Sequence, residues 1–149
     1  MADVVAESIE IEAPIERVWE LVMDPERLGE WVTIHDSVSE VPSGELEKGS
    51  RFRQKMKLKG VPLKVNWEVT ECEAPRRARW SGEAAAGAKA TIVYDLSEQD
   101  GTTTFDYKNE FELPAGKAGK LAGRAFNAMS GEREAQKSLA RLKELIEDA

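Results

Sequence analysis

The spacing of apolar residues changes within the first part of the chain. Val5, Ile9 and Ile11 lie at odd positions between mostly polar neighbours, and this period of two predicts a half-buried first strand. After Pro14 the spacing becomes helical, which predicts a short helix with a proline in its first turn. The apolar residues of that helix are Ile15, Val18, Trp19 and Val22.

Asp24 and Pro25 end this first helix and begin a second. Asp24 can cap a short helix through Glu26–Leu28, with Pro25 just inside it, and Trp31 follows. Six alternating runs come next, separated by turn residues and not by helices. Strands at such hairpin spacing predict an antiparallel meander. The runs are TIHDSVSEV, RFRQKMKLK, VPLKVNWEVTE, RRARWSG, ATIVYDL and TTTFDYKNEFEL.

The last part of the chain, roughly Gly116 to Asp148, predicts one long helix. Its apolar residues recur at helical intervals, and we expect the helix to begin near Lys117–Leu121. The full order is one strand, two short helices, six strands and a long helix, in a single domain over residues 1–149. The fold class is α+β, with a bent seven-stranded antiparallel sheet around the C-terminal helix.

Two motifs and the long last helix resemble the START-like or SRPBCC superfamily. The motifs are IEIEAPIERVWELVMDPERLGEW and GELEKGSRF. The superfamily includes birch-pollen-allergen-like, polyketide cyclase/dehydrase-like, CoxG-like and coenzyme-Q-binding proteins, and the resemblance covers essentially the whole chain. It implies a helix-grip fold around a hydrophobic cavity that binds lipids, polyketides, quinones or hormones, with catalysis in some branches. The opening motif specifies the fold and not the function.

Composition narrows the class of protein. The net charge of −7 argues against a nucleic-acid partner, because phosphate contacts need a concentrated positive field. The start of the chain has no signal-peptide pattern, and no apolar run approaches the ~20 residues that cross a bilayer. We therefore expect a cytoplasmic bacterial protein without stable membrane insertion, as a monomer or weak homodimer, and without a cofactor.

The inner face of the predicted sheet carries polar side chains where apolar filling is expected. A buried polar group costs about 1–3 kcal/mol if it is left unpaired. These groups either pair with one another in a filled core or face a ligand in a cavity, and the resemblance favours the cavity. The predicted ligand-binding residues are Phe52, Gln54, Met56, Trp67, Trp80, Tyr94, Tyr107, Asn109, Met129 and Leu139. Gln136 falls close to the same stripe as Leu139.

No catalytic residue is assured by the sequence. Glu132, His35 and Tyr107 are the candidates for a general acid or base. A single histidine rules out a histidine-cluster metal site, so we expect no metal. Cys72 lies between two glutamates, which raise the pKa of a thiol and make it unreactive.

The run from Arg51 to Lys59 places five cations on one face of a strand. Such a stripe can bind an anionic surface or an acidic partner. It can equally protect an edge strand against pairing with another molecule. We favour the edge strand, which is the position that the helix-grip order gives to the third strand.

Three functions remain open. We favour a binding or carrier protein for a hydrophobic or aromatic small molecule. The alternative is a polyketide cyclase/dehydrase-like enzyme, or a hydrolase without metal, that uses Glu132, His35 or Tyr107 as its acid or base. The third is a protein-interaction module of the ribosome-associated toxin-like or chaperone-activator-like kind. Binding is favoured because no adjacent pair of residues guarantees an acid and a base within reach of one atom.

Overall fold

The computed structural model describes residues 2–58, 61–84, 87–112 and 132–148. Its strands are β1 (Ala2–Ile11), β2 (His35–Ser39), β3 (Arg51–Leu58), β4 (Val61–Glu73), β5 (Arg77–Ala84), β6 (Lys89–Gln99) and β7 (Thr102–Glu112). Its helices are α1 (Ile15–Val22), a 3₁₀ helix (Pro25–Glu30) and α2 (Glu132–Glu147). The predicted order of elements is confirmed, and the predicted start of the last helix lies outside the described residues.

The seven strands form one curled antiparallel sheet in the order β1-β7-β6-β5-β4-β3-β2. With the C-terminal helix and the short helices after β1, this is the predicted helix-grip fold. Every consecutive pair from β2 to β7 is a direct neighbour, and β1 closes the order by pairing with β7. The meander therefore follows from the short turns between alternating runs, because such turns join only adjacent antiparallel strands.

The basic strand is not an edge, which corrects the sequence prediction. β3 lies between β2 and β4, so its backbone groups are paired on both sides. Three of its cations form ion pairs on the outer face of the sheet. The pairs are Arg51 with Glu68 at 2.9 Å, Arg53 with Glu40 at 3.0 Å and Lys55 with Asp36 at 3.6 Å. The stripe is thus part of a mixed-charge surface.

Burial alternates along the strands as the period of two predicts. In β5, Ala78, Trp80 and Gly82 are buried while the residues between them are more exposed. Position 82 requires a glycine because side chains of β4 lie very close to it. A Cβ atom at this position would lie 2.5 Å from Cγ1 of Val65 and 2.7 Å from Cε3 of Trp67. The absence of a side chain on β5 therefore makes room for the large indole on β4.

The first helix is fixed to the sheet at its N-terminus and along one face. Pro14 supplies no side-chain cap. The backbone N–H of Ile15 instead donates to the carboxylate of Glu98 on β6 at 2.7 Å. Val18 and Val22 are completely buried, whereas Trp19 is only partly buried and lies at the margin of the core.

The helix α2 is joined to the edge strand β1 and to the chain before β2. Lys143 donates to the backbone carbonyl of Glu10 at 2.7 Å, and the hydroxyl of Thr33 donates to Glu134 at 2.6 Å. Its buried residues include Leu139, Leu142 and Ile146, as helical spacing predicts. Gln136, expected near the inward stripe, is instead exposed and donates to Glu7 at 3.2 Å.

Candidate functional site

An internal cavity of about 40 Å³ lies between the inner face of the sheet and the chain segment 28–34. Seven of the predicted ligand-binding residues line it, because their side chains share the inward phase of their strands. They are Gln54, Met56, Trp67, Trp80, Tyr94, Tyr107 and Asn109. The opposite wall is formed by the end of the 3₁₀ helix and the residues after it, including Leu28, Trp31, Val32 and Ile34.

A second cavity of about 30 Å³ adjoins the first and shares Trp31, Tyr107 and Asn109 with it. Its far wall belongs to α2, where Leu139 is a lining residue, with Glu134 and Ser138 beside it. Tyr107 and Asn109, in the middle of β7, therefore line both cavities.

Two of the predicted ligand-binding residues, Phe52 and Met129, and two catalytic candidates, Glu132 and His35, are not placed at these cavities. Phe52 is buried, but it lines neither cavity and packs edge-on against Trp80 with ring centroids 5.1 Å apart. Met129 lies outside the described residues, and so does the side chain of Glu132. The contribution of the last two to a site stays a prediction.

The cavity volumes indicate what fits between the described residues. About 10–15 Å³ of such space holds one water molecule, whereas pockets for drug-sized ligands measure about 300–1,000 Å³. Volumes of 40 and 30 Å³ therefore accommodate water or a small chemical group. A larger ligand requires its wall residues to move apart.

Gln54 is the centre of a buried hydrogen-bond network. The indole N–H of Trp67 donates to Gln54 Oε1 at 2.9 Å, and Gln54 Nε2 lies 3.0 Å from His35 Nδ1. An indole N–H can only donate, so the amide oxygen must face Trp67 and the amide NH₂ must face the imidazole. His35 Nδ1 is therefore an acceptor, and the neutral ring carries its proton on Nε2.

Burial lowers the pKa of His35, while the nearby negative charge of Asp36 acts in the opposite direction. The lowered pKa agrees with the neutral tautomer that Gln54 requires. His35 lies behind Gln54 and is not a lining residue of either cavity. The structure therefore places this catalytic candidate in the wall of the site.

Tyr107 and Asn109 lie two residues apart on β7 and face the same side. The amide Nδ2 of Asn109 donates to the hydroxyl oxygen of Tyr107 at 3.3 Å. Burial raises the pKa of Tyr107 to about 12, although the hydrogen bond from Asn109 acts in the opposite direction. The phenol is therefore protonated at neutral pH, where it can donate a hydrogen bond but cannot act as an effective base.

Within the part of the chain that the structure describes, three buried polar atoms around the larger cavity have no hydrogen-bond partner. They are Nε1 of Trp31, Nε1 of Trp80 and Oδ1 of Asn109. Each such atom costs about 1–3 kcal/mol when it is removed from water without compensation. Proteins satisfy nearly all of their buried polar groups, so three such atoms at one cavity, among the described residues, make this cavity the candidate site for a water or a ligand.

Trp31 is the site residue that the sequence did not reveal. It follows the 3₁₀ helix, outside any alternating run, and its position there suggested a scaffold role. In the structure it is 1% exposed, and its ring lies 6.3 Å from that of Tyr94 and 6.2 Å from that of Phe105. The signal available in the sequence was the residue type itself, because a buried indole brings an N–H that needs a partner.

Cys72 is partly buried and the pKa of its thiol is raised, as expected. Burial is the first cause, and the negative charges of Glu45 and Glu47 add to it. These glutamates belong to the loop before β3 and are not the immediate neighbours that the sequence suggested. A thiol with a raised pKa carries little thiolate at neutral pH and is a poor nucleophile.

The part of the chain that the structure describes also bears on metal binding and on membrane insertion. No group of three or more His, Cys, Asp or Glu side chains there is arranged to hold a metal ion. None of the described helices has both the length and the apolar character that crossing a membrane requires.

Residues 2–147 match the family described as polyketide cyclase / dehydrase and lipid transport, and the chain belongs to this family. The match spans both the sheet that forms the cavity and the helix α2 that covers it. It confirms the resemblance to polyketide cyclase/dehydrase-like SRPBCC proteins that the opening motif suggested.

Three individual proteins similar to this chain are each less than 30% identical to it. Toxin Rv0910 of Mycobacterium tuberculosis is 24% identical over 123 residues, which cover 81% of this chain and 85% of that protein. Uncharacterized protein Rv1546 of the same species is 28% identical over 145 residues, which cover 93% and 97%. The crystal structure of Zhui aromatase/cyclase from Streptomyces sp. R1128 has a TM-score of 0.80 at 16% identity and covers 99% and 94%. At this identity the likeness shows a shared fold.

Proposed function

We propose that this protein binds an apolar or aromatic small molecule, such as a lipid, polyketide or quinone, in the space between the inner face of the sheet, residues 28–34 and α2. The observation that carries the proposal is an aromatic-walled cavity in which buried polar atoms have no partner among the described residues. A core that only supports the fold would be filled and its polar atoms satisfied. The family's description, which names polyketides and lipid transport, supports the same class of ligand.

The positions of the catalytic candidates favour binding over chemistry. His35 is neutral and held behind Gln54, and the raised pKa of Tyr107 makes it a weak acid and a poor base. Catalysis by proton transfer needs groups whose pKa values lie near the working pH and that reach one substrate atom. Aromatic rings and one partly free amide are suited to burying and orienting a ligand.

Native mass spectrometry of the purified protein tests the proposal directly. A retained small molecule is the expected result, and its mass gives its chemical class. Asn109→Leu should then change which hydrophobic ligands quench the tryptophan fluorescence while leaving the circular dichroism spectrum unchanged. The matched control is Asn66→Leu, because Asn66 is exposed on the outer face of the sheet.

Two results would contradict the binding proposal. If no ligand is retained and no member of a lipid, polyketide and quinone panel alters the fluorescence, the binding proposal is wrong. If ligands bind equally well to Asn109→Leu and to the native protein, the site lies elsewhere in the molecule.

A second candidate is a toxin-like protein-interaction module, which the similarity to Toxin Rv0910 favours. The basic strand gives it little support, since Arg51, Arg53 and Lys55 are paired with carboxylates. Induced expression in a bacterial host should slow growth under this hypothesis. The effect should persist in Asn109→Leu if a surface and not the cavity is responsible.

A further inference from the structure

We propose that the cavity recognises an uncharged oxygen acceptor on its ligand, a carbonyl, hydroxyl or phenol oxygen, through the indole N–H groups of Trp31 and Trp80. This inference rests on the proposed binding function and specifies the chemistry of the ligand. It concerns the part of the ligand that enters the 40 Å³ space, which is the size of a small polar group.

The two indoles lie on opposite walls of the cavity, Trp80 on β5 and Trp31 just after the 3₁₀ helix. Trp31 and Trp80 are each 1% exposed, and both pack on the ring of Tyr94, at centroid distances of 6.3 and 5.3 Å. Among the residues that the structure describes, neither N–H has a partner. Since an indole nitrogen can only donate, the group that completes either bond must be an acceptor.

A third cavity indole provides the contrast. Trp67 lies beside Trp80, with ring centroids 6.0 Å apart, and it lines the same cavity. Its N–H is already bonded to Gln54 at 2.9 Å. The sheet thus satisfies one of the three indoles internally and leaves the donors of the other two available.

The middle of β7 adds polar groups beside these donors. The hydroxyl of Tyr107 accepts from Asn109, which leaves its own hydrogen to donate. The other end of the Asn109 amide has no partner. If the amide were rotated by half a turn, one of its ends would still remain free, so this residue offers one unused polar group in either orientation.

The charges around the site exclude an anion as the preferred ligand. Among the described residues that line the two cavities there is no lysine or arginine. Tyr107 is uncharged, since burial raises its pKa, and the carboxylate of Glu134 adjoins the second cavity. A carboxylate or phosphate buried here would have no positive partner to offset its lost hydration. An uncharged oxygen needs only the donors that the indoles supply.

Three probes of similar size separate these possibilities: phenol, toluene and benzoate. Near neutral pH, phenol offers an uncharged oxygen, toluene has no oxygen, and benzoate carries an anionic carboxylate. Calorimetric titration should show phenol binding about 10-fold more tightly than toluene, the effect of roughly one net hydrogen bond. Benzoate should bind most weakly.

The four tryptophans give a site-resolved readout in the unaltered protein. In isotope-labelled protein, phenol should shift the indole N–H resonances of Trp31 and Trp80. The resonance of Trp19, which lies in a groove on the outer surface, should stay in place. The variants Trp31→Phe and Trp80→Phe should each reduce the preference for phenol over toluene, and Trp19→Phe is the control. If a variant does not fold, the resonances of the native protein decide.

The outcomes distinguish this inference from the function on which it rests. Toluene binding as tightly as phenol, without shifts at the two indoles, would overturn the acceptor site and leave a hydrophobic binding cavity, its free polar atoms completed by water. Tightest binding of benzoate would also overturn it. Binding of none of the three probes would overturn both the acceptor site and the cavity proposal.

Discussion

At the scale of single residues, both ends of the Gln54 amide form hydrogen bonds with other side chains. Its oxygen accepts from Trp67 and its nitrogen donates to His35, so both ends of the amide are bonded within the protein. The residue is 4% exposed. It lines the cavity and also links β2, β3 and β4 in the cavity wall, and its role as a ligand anchor stays a prediction.

Replacing Gln54 should destabilise the fold. Gln54→Leu leaves the buried N–H of Trp67 and the acceptor of His35 without partners, and each loss costs about 1–3 kcal/mol. We expect urea unfolding to show a midpoint shift equivalent to at least about 1 kcal/mol. Gln136→Leu is the matched control, because Gln136 is exposed, and it should change stability by less than about 0.5 kcal/mol. Equal stability of both variants would show that the network contributes nothing.

The same network predicts that the stability of the fold depends on pH through the protonation of His35. Its pKa lies below the ordinary value of 6.5 in the folded protein, so the unfolded chain takes up the proton at a higher pH than the folded chain. The contribution of His35 to the free energy of unfolding is therefore complete above about pH 6.5 and is lost as the pH falls through the lowered pKa. Protonation at Nδ1 would also place an N–H against the amide NH₂ of Gln54.

His35→Gln provides the comparison, since a glutamine oxygen can still accept from Gln54 but does not titrate. The free energy of unfolding, measured with urea, should fall more steeply for the native protein than for this variant as the pH is lowered from 7 toward 5. Parallel pH profiles of the two proteins would contradict the assignment of His35 as a buried neutral acceptor.

At the scale of secondary-structure elements, the alternation of residues predicted correctly which side of each strand faces inward. It could not predict which inward polar groups are already bonded, because that depends on contacts across strands. Gln54 on β3 meets Trp67 on β4 and His35 on β2, and no local pattern encodes this meeting. The same limit explains Gln136, since a small rotation of a helix about its axis moves a borderline position from the core to solvent.

The pairing of β4 with β5 makes a prediction at this scale. Gly82 pairs with Trp67 in the register of the two strands, and a methyl group there would lie too close to Val65 and to the indole ring. Gly82→Ala should therefore cost about 1–3 kcal/mol, the usual penalty for overpacking a filled core. Thermal unfolding followed by circular dichroism measures it.

Ser81→Ala is the control for this strand, because Ser81 is adjacent to Gly82 but lines the groove on the outer face of the sheet. Its unfolding temperature should remain close to that of the native protein. A Gly82→Ala variant as stable as the native protein would mean that β4 and β5 separate readily, and that the indole of Trp67 is loosely held.

At the scale of the whole molecule, the two adjoining cavities on the inner side of the sheet measure only about 40 and 30 Å³. A ligand larger than a few atoms must therefore move wall residues apart, and its affinity includes the cost of that change. Such a ligand stabilises the folded state by an amount set by its free concentration relative to its dissociation constant, about 2.7 kcal/mol at 100 times that constant.

The remaining question at this scale is whether the bound molecule leaves unchanged. We expect a ligand found by native mass spectrometry to be recovered intact after prolonged incubation, because the described site holds no acid and base of matched pKa. Glu132→Gln, at the first residue of α2, should then alter affinity only modestly. If the protein is a cyclase or hydrolase, the same change should lower turnover about 100-fold or more while binding is retained. Conversion of the ligand that is lost in Glu132→Gln or His35→Ala, with affinity preserved, would replace the binding function by an enzymatic one.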